Sequence, residues 1–164
     1  MSVENLKIKQ ATIDEIKAKL DGATSAVVID YLGTTVEEAT AMRKALREAG
    51  VDYTVYKNTL MTKAVEGTEF EELKNSFAGA SAIAISKDDA VAPARVIAKA
   101  MKDTNKMAFK AGIVEGIFYD AEGVKALSAI PSRDELLAKF LGSIQSPVSK
   151  AVRTFQAIAD AKEA

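Results

Sequence analysis

Cysteine, histidine and tryptophan are absent from the 164-residue chain, and proline occurs only three times. Without cysteine there is no disulfide framework and no thiolate nucleophile, and without histidine the commonest general base is missing. A zinc site built on either side chain is excluded for the same reason. We therefore expect neither a resident cofactor nor a metal site nor a catalytic residue.

A strong excess of one charge and long apolar runs are absent as well. The 22 basic and 23 acidic side chains give a formal charge of −1, and this net charge does not indicate a nucleic-acid-binding protein. No apolar run approaches the ~20 residues of a membrane span, and the N-terminal MSVENLKIKQ has no apolar signal core. Hydrophobic residues make up 48% of the chain, enough for a core. A cytoplasmic globular protein is expected.

Patterns of helix and strand alternate from the N-terminus to Pro131. A buried strand is predicted at Ser25–Tyr31, a helix behind the capping box Thr35–Glu38, and a second strand at Asp52–Tyr56. A strand, a helix and a strand in succession predict a βαβ unit whose two strands are parallel. Further strands are predicted at 82–85, 107–114 and 117–119, and further helices at 12–20, 58–65, 70–77, 93–101 and 121–129. The predicted fold is an α/β sandwich with a mixed sheet of four or five strands.

Only helical patterns follow Pro131. Ser132–Glu135 has the spacing of a capping box, and breaks are expected at Gly142 and at Ser146–Pro147, where proline would start a new helix. The chain is thus divided into an α/β domain at 1–131, a helical hinge at 132–146 and an amphipathic helix at 147–164. The apolar stripe of that last helix comprises Val148, Ala151, Val152, Phe155, Ile158 and Ala159.

This terminal stripe has two interpretations. Most amphipathic helices pack their apolar face against their own domain. Alternatively, the helix projects and presents the stripe to a groove on a partner.

Catalytic signatures are missing too. The chain contains no P-loop and no G-x-S-x-G elbow. The turn Tyr31–Thr35 is a strand–glycine–helix junction, which can hold a phosphate. A dinucleotide fingerprint needs three glycines, and only Gly33 is present. A phosphate-ligand or nucleotide-binding α/β enzyme remains the alternative function.

Basic residues are concentrated in one part of the sequence. Thr40–Ala64 holds five basic and two acidic side chains, whereas Glu66–Glu72 holds four glutamates and no basic residue. Because the carboxyl ends of parallel strands share one edge of a sheet, the turn after the first strand should converge with the residues after the second. Arginine and lysine contact phosphates there, while asparagine and backbone amides fix the geometry. The candidate residues are Gly33, Thr34, Arg43, Arg47, Lys57, Asn58 and Lys63. The competing interpretation is a solvated helix face with Asn58 as a helix cap.

Several segments resemble one known family. The similar segments are DYLGTT at 30–35, MRKALR at 42–47, VYKNTL at 55–60, PSRDELLA at 131–138 and AVRTFQAI at 151–158. The string Lys57–Leu60 after a strand is the most specific of them. The turn Phe77–Ser81 is similar to the family's glycine-containing turn but lacks the proline-threonine that usually follows. In this order and over nearly its whole length, the chain resembles the bacterial large-subunit ribosomal protein L-ten family, the stalk-base proteins related to archaeal and eukaryotic P-zero.

The resemblance implies a structural role and no enzymatic activity. Such proteins bind large-subunit ribosomal RNA through the N-terminal domain, beside the protein L-eleven. Their C-terminal helix carries dimers of the acidic stalk protein L-seven/L-twelve, which recruit translational GTPases and promote GTP hydrolysis. We therefore expect the cationic candidates to contact rRNA phosphates, with Asn58 and the Gly33 turn fixing the register. The expected anchors for the dimers are Val148, Val152, Phe155, Ile158 and Ala159.

Overall fold

The computed structural model describes residues 3–104 and 106–163, apart from the side chains at 3–6, 103, 133–134, 147–148, 151, 155, 157 and 159–163. The chain forms two compact units, Met1–Ile130 and Pro131–Ala164. Within the described ranges, no helix is both long and apolar enough to cross a bilayer. The same ranges contain no group of three or more acidic side chains arranged to hold a metal ion.

The described residues form six α-helices and five strands. The helices are α1 Val3–Leu20, α2 Val36–Glu48, α3 Asn58–Val65, α4 Ala92–Thr104, α5 Ala121–Leu127 and α6 Arg133–Glu163, with a 3-10 helix at Glu71–Ser76. The strands are β1 Ser25–Asp30, β2 Val51–Thr54, β3 Ala82–Ser86, β4 Ala108–Val114 and β5 Ile117–Asp120. Every strand predicted from the sequence is present, and the predicted bounds of α3 are exact.

The five strands form one sheet in the order β2-β3-β1-β4-β5. Each neighbouring pair is antiparallel, so the expected mixed pairing is wrong, although the α/β class and the number of strands are confirmed. Both β1 and β2 pair with β3, and they therefore run in the same direction with β3 between them. The predicted βαβ unit is therefore present, but with β3 inserted between its two parallel strands. The local sequence determines the direction of the second strand, whereas the choice of neighbouring strand depends on the rest of the fold.

Helices cover both faces of the sheet. The alternation of side chains along the strands divides the core, because successive residues point to opposite faces. Val28 and Ile83 pack with α1, α3 and the 3-10 helix, whereas Val27 and Ala84 pack with α2, α4 and α5. As a result, α2 and α3 lie on opposite faces of the sheet.

Helix α2 begins with the predicted capping box. The backbone N–H of Glu38 donates to Thr35 Oγ1 at 3.3 Å, and the backbone N–H of Thr35 donates to Glu38 Oε2 at 2.8 Å. Met42 and Leu46 of this helix are buried. Arg43, the next residue after Met42, therefore lies on the exposed flank of α2.

The second unit is a single helix. The breaks predicted at Gly142 and Ser146–Pro147 are wrong, because α6 is continuous over 31 residues, about 46 Å at 1.5 Å per residue. Glycine and proline cost a helix about 1 and 3 kcal/mol relative to alanine, but strong helix formers lie nearby: Leu141 precedes Gly142, and Gln145 and Lys150 lie on either side of Pro147. At its start, the backbone N–H of Glu135 donates to Ser132 Oγ at 3.3 Å, which is one half of the predicted capping box.

Candidate functional site

The ends of β1 and β2 meet at one edge of the sheet, as predicted. Near those ends, Ile29 of β1 pairs with Ala82 of β3, and Thr54 of β2 pairs with Ile83 of β3. Because β3 separates the two strands, their ends lie two strand spacings, about 10 Å, apart. The Gly33 turn and Lys57 follow these ends and therefore share this edge.

The turn after β1 is fixed by hydrogen bonds but open to solvent. Thr34 donates its backbone N–H and its Oγ1 hydroxyl to the carbonyl of Tyr31, at 3.3 and 2.7 Å. The backbone N–H of Leu32 donates to Asp30 Oδ1 at 3.0 Å. Gly33 has a φ of +80°, in the left-handed region, and no atom lies within 4 Å of where its Cβ would be. A ligand can therefore approach the backbone here closely.

A groove runs between α2 and the edge strand β2. Its first part, about 330 Å³, is lined by Tyr31, Thr34, Thr35, Val36, Ala39, Thr40, Met42, Arg43, Tyr53 and Val55. Its second part, about 320 Å³, is lined by Arg43, Arg47, Gly50, Val51, Asp52 and Tyr53. Since Arg43 and Tyr53 belong to both parts, they join them into one surface, which we call the α2–β2 groove. It brings Thr34, Arg43 and Arg47 together, as the sequence predicted.

Arg43 is held in this groove by an aromatic ring. Its Cζ lies 5.7 Å from the centroid of the Tyr53 ring, within the range of a cation–π contact. Burial raises the pKa of the Tyr53 phenol, while the charge of Arg43 lowers it in part. The phenol therefore stays protonated at neutral pH and adds no negative charge beside Arg43.

Nearby carboxylates are occupied by other lysines. The pairs are Asp52 with Lys19 at 2.9 Å, Glu38 with Lys106 at 3.2 Å, and Asp30 with Lys110 at 3.5 Å. The hydrogen bond to Asp52 raises the pKa of Lys19, so that pair stays ionised. Among the described residues, no carboxylate forms an ion pair with Arg43, Arg47 or Lys57. The positive charge of this edge is therefore available to an anionic ligand.

Asn58 has a different role from the predicted helix cap. The N-cap residue of α3 is Lys57, without a side-chain capping bond. The Asn58 side chain instead donates from Nδ2 to the carbonyl of Gly79 at 2.8 Å. The prediction failed because this acceptor comes from a distant turn, which no local pattern reveals. Asn58 thus lies at the predicted edge but holds the neighbouring turn in place.

Lys110 is a member of this edge that sequence reasoning missed. Its Nζ donates to the carbonyls of Ala78 and Ala80, the latter at 2.6 Å, and to Ser81 Oγ at 3.0 Å. Together with Asn58 it pins the glycine-containing turn that precedes β3. The available signal was that Lys110 is the one charged residue in the otherwise apolar strand β4.

Lys63 is not part of this edge. Helix α3 packs against α1, on the face of the sheet opposite α2. The hydrogen bond from Lys74 is the main cause that lowers the pKa of Glu66, and the charge of Lys63 contributes to it. The expected clustering of Lys63 with Arg43 is therefore wrong, since residues close in sequence were separated by the sheet.

Tyr53 and Val55 also line the α2–β2 groove, although the sequence analysis did not select them. Tyr53 and Val55 alternate with Asp52 and Thr54 along β2, so they share the face that α2 covers. Around the turn, Leu32 is 71% and Val36 is 83% exposed, which adds apolar surface beside the cations. The strand period alone would have placed Tyr53 next to α2, once the face covered by that helix was known.

Helix α6 carries an exposed apolar stripe. Val152 and Ile158, two predicted anchors, are more than half exposed, whereas the side chains of Val148, Phe155 and Ala159 lie outside the described residues. The exposed set also includes Leu136, Leu137, Phe140, Leu141 and Ile144. Leu137, Leu141 and Ile144 are spaced by four and three residues, which keeps them on one face. The stripe therefore begins before the region to which the sequence assigned it.

Comparison with known proteins identifies the family of the chain. The profile of the family described as "Ribosomal protein L10" matches residues 4–102, and "Ribosomal protein uL10 C-terminal region" matches residues 130–164. Similar curated proteins are named "Large ribosomal subunit protein uL10". They include those of Clostridioides difficile strain 630 (46% identity, 96% of this chain and 95% of the relative), Clostridium tetani (44%, 98% and 93%) and Bacillus cereus strain B4264 (43%, 96% and 95%).

These matches cover both structural units and nearly the full length of the relatives. They confirm the family resemblance that the sequence motifs indicated. Proteins of this family are structural parts of the ribosome, so the alternative of a nucleotide-binding enzyme is not retained. The chain belongs to the uL10 family of large-subunit ribosomal proteins.

Proposed function

We propose that the chain binds large-subunit ribosomal RNA through the α2–β2 groove and the adjoining edge formed by the Gly33 turn and Lys57. The observation that carries this proposal is the position of Arg43, which is seated on the Tyr53 ring next to Thr34 and has no described carboxylate partner. Arginine forks match phosphate oxygens, and hydroxyl groups and backbone amides add directional bonds. Duplex RNA is recognised mainly by its shape and backbone, so a few such contacts suffice.

The protein acts in the cytoplasm as part of the large ribosomal subunit. Beside the cationic groove, the exposed side chains of Leu32 and Val36 supply an apolar surface that suits a protein neighbour. We assign this neighbour as ribosomal protein L-eleven, which the family resemblance implies.

A pair of charge-matched variants tests the RNA contact. Arg43→Ala/Lys57→Ala removes two cations from the groove and edge, whereas Lys17→Ala/Lys63→Ala removes two exposed cations from the α1–α3 side. With Arg43, Arg47 and Lys57 as contacts, the slope of log K against log salt should be about −3, by analogy with duplex DNA. The first variant should lower rRNA affinity and reduce the magnitude of that slope by about 2, and the second should change neither. Equal losses in both variants would remove the groove from the RNA contact.

We further propose that α6 carries dimers of the acidic stalk protein L-seven/L-twelve, which recruit translational GTPases to the ribosome. The supporting observation is the exposure of its apolar side chains at helical spacing, as in an amphipathic helix that binds a groove. Burial of each large apolar side chain contributes about 1.5–3 kcal/mol, so a few anchors hold a stable complex.

Truncation distinguishes the two parts of α6. We assign residues 132–146 as the hinge and 147–164 as the binding helix. A chain that ends at Ser146 should then fold, bind rRNA and capture no dimers in a pull-down with purified L-seven/L-twelve. Capture by this shortened chain would instead assign binding to Leu137, Leu141 and Ile144.

Point variants provide a matched control for the truncation. Val152→Asp/Ile158→Asp places two charges on the exposed apolar stripe and should abolish capture, because a carboxylate cannot enter an apolar groove without a partner. Lys150→Asp/Thr154→Asp introduces two carboxylates at exposed polar positions of the same helix and should retain capture. Equal capture by both variants would contradict the proposal.

A further inference from the structure

A second cationic surface lies in the first unit, away from the α2–β2 groove. It is a cleft of about 780 Å³ between α4 and α5, over the start of β4. This volume is within the range of small-ligand and peptide pockets. Among the described residues, four basic side chains line it, Arg95, Lys99, Lys102 and Lys125, together with one carboxylate, that of Glu122. The proposed RNA contact uses none of these residues.

Within the described part of the chain, three of the four cations of this α4–α5 cleft have no ion-pair partner. Arg95 pairs with Asp89 at 3.2 Å. Lys99, Lys102 and Lys125 form no ion pair with any carboxylate among the described residues. The Arg95 side chain is 32% exposed, so it adds positive charge beside the lysines although it is already paired.

The floor of the cleft identifies the kind of anion. Met101, which is partly exposed, lines it beside small alanine side chains, and methionine adapts to aliphatic groups of varied shape. The one aromatic lining residue, Phe109, is only 9% exposed and offers no open ring face. Single-stranded nucleic acids are bound by stacking of bases on open aromatic faces, which this cleft lacks. An aliphatic group carried between carboxylates therefore fits this cleft better than a single-stranded nucleic acid, and a duplex RNA probe distinguishes the remaining polyanion.

We propose that the α4–α5 cleft is a docking site for an acidic protein segment with aliphatic side chains. Its carboxylates pair with Lys99, Lys102 and Lys125. An aliphatic side chain of the segment packs on Met101. This site extends the function beyond the RNA contact, since it gives the first unit a protein-binding surface separate from the one at Leu32 and Val36.

Fluorescence anisotropy with the full chain tests this proposal. The probe is a labelled short peptide of alternating glutamate and leucine. The variant Lys99→Ala/Lys102→Ala/Lys125→Ala should bind it about tenfold more weakly, because three exposed ion pairs are lost. The control Lys9→Ala/Lys17→Ala/Lys63→Ala removes the same charge elsewhere on the first unit and should bind as the parent does. Circular dichroism checks that both variants keep the helical content of the parent.

Two further probes complete the test. A glutamine-leucine peptide should bind weakly, since it lacks the charges, and a glutamate-serine peptide should bind weakly, since it lacks the aliphatic group. Undiminished binding of the acidic peptide to the Lys99 triple variant would overturn the proposal. It would also be overturned if that variant lost affinity for a short duplex RNA but not for the peptide, because the cleft would then be an RNA site.

Discussion

The guanidinium carbon of Arg43 lies 5.7 Å from the centre of the Tyr53 ring. Arg43 comes from α2 and Tyr53 from the edge strand β2, so the contact joins a helix to the strand that follows it along the chain. The ring limits the orientations of the guanidinium and leaves its outer edge open to a phosphate. A cation positioned in this way loses less conformational entropy on binding than a freely rotating one.

Substitution of Tyr53 tests this arrangement. Tyr53→Phe should leave rRNA affinity nearly unchanged, because the ring that holds Arg43 remains. Tyr53→Leu should weaken binding about two- to fivefold, which corresponds to a cation–π contribution of about 0.5–1 kcal/mol. Filter binding with an rRNA fragment measures both. Similar affinities for the two variants would show that the ring does not orient Arg43.

Replacement of Lys110 tests the pinned turn. Its side chain is 18% exposed and donates to two carbonyls and a hydroxyl of the turn before β3. Lys110→Met should lower the free energy of unfolding by about 2 kcal/mol, because charge-assisted hydrogen bonds are lost and their acceptors stay partly buried. Urea denaturation gives this value.

Lys106→Met is the control for that measurement, because Lys106 makes only an exposed pair with Glu38. Its effect on the urea midpoint should be clearly smaller. If the two variants are equally stable, Lys110 does not hold the turn.

Acid should remove the contribution of the Glu38 capping contact. The hydrogen bond from the Thr35 backbone holds the pKa of the Glu38 carboxyl below its ordinary value of 4.5, and Lys106 lowers it further. A carboxyl whose pKa is lower in the folded state than in the unfolded state stabilises the fold when the pH is above its unfolded-state pKa. This stabilisation is lost as the pH falls through the folded-state pKa. The urea midpoint of the parent should therefore exceed that of Glu38→Gln near neutral pH, and the difference should shrink below pH 4.5. A difference that stays constant down to strongly acidic pH would contradict this account.

One substitution at two glycines should have opposite effects. Gly33 has a φ of +80°, so Gly33→Ala should destabilise the first unit by about 1–2 kcal/mol, because alanine is strained in the left-handed region. Gly142 lies within α6 with open space around it, and Gly142→Ala should stabilise that helix by about 1 kcal/mol. Urea denaturation measures the first, and thermal loss of far-ultraviolet dichroism measures the second. Stabilisation by Gly33→Ala would show that the turn is not left-handed in solution.

Local patterns predicted most of the elements. The bounds of α3, the capping box of α2 and the strand at β1 follow from interactions between residues a few positions apart. The break expected at Pro147 was wrong because the cost of one proline was weighed without the helix formers on both sides of it. For the candidate surface, Thr34 and Arg43 lie together in one groove, since the direction of β2 follows from one strand–helix–strand sequence. Their role in binding RNA stays a prediction.

Contacts between distant segments were outside the reach of those patterns. Nothing near β1 or β2 encodes that β3 lies between them, and nothing near Lys63 encodes that the sheet separates it from Arg43. The bond from Asn58 to Gly79 and the α4–α5 cleft likewise join residues more than twenty positions apart. The amino-acid order alone accounts for the helices, the strands and the family, because these depend on short-range periodicity and motif spacing. Which side chains share a surface depends on strand pairing and helix packing, whose energies come from burial across the whole fold.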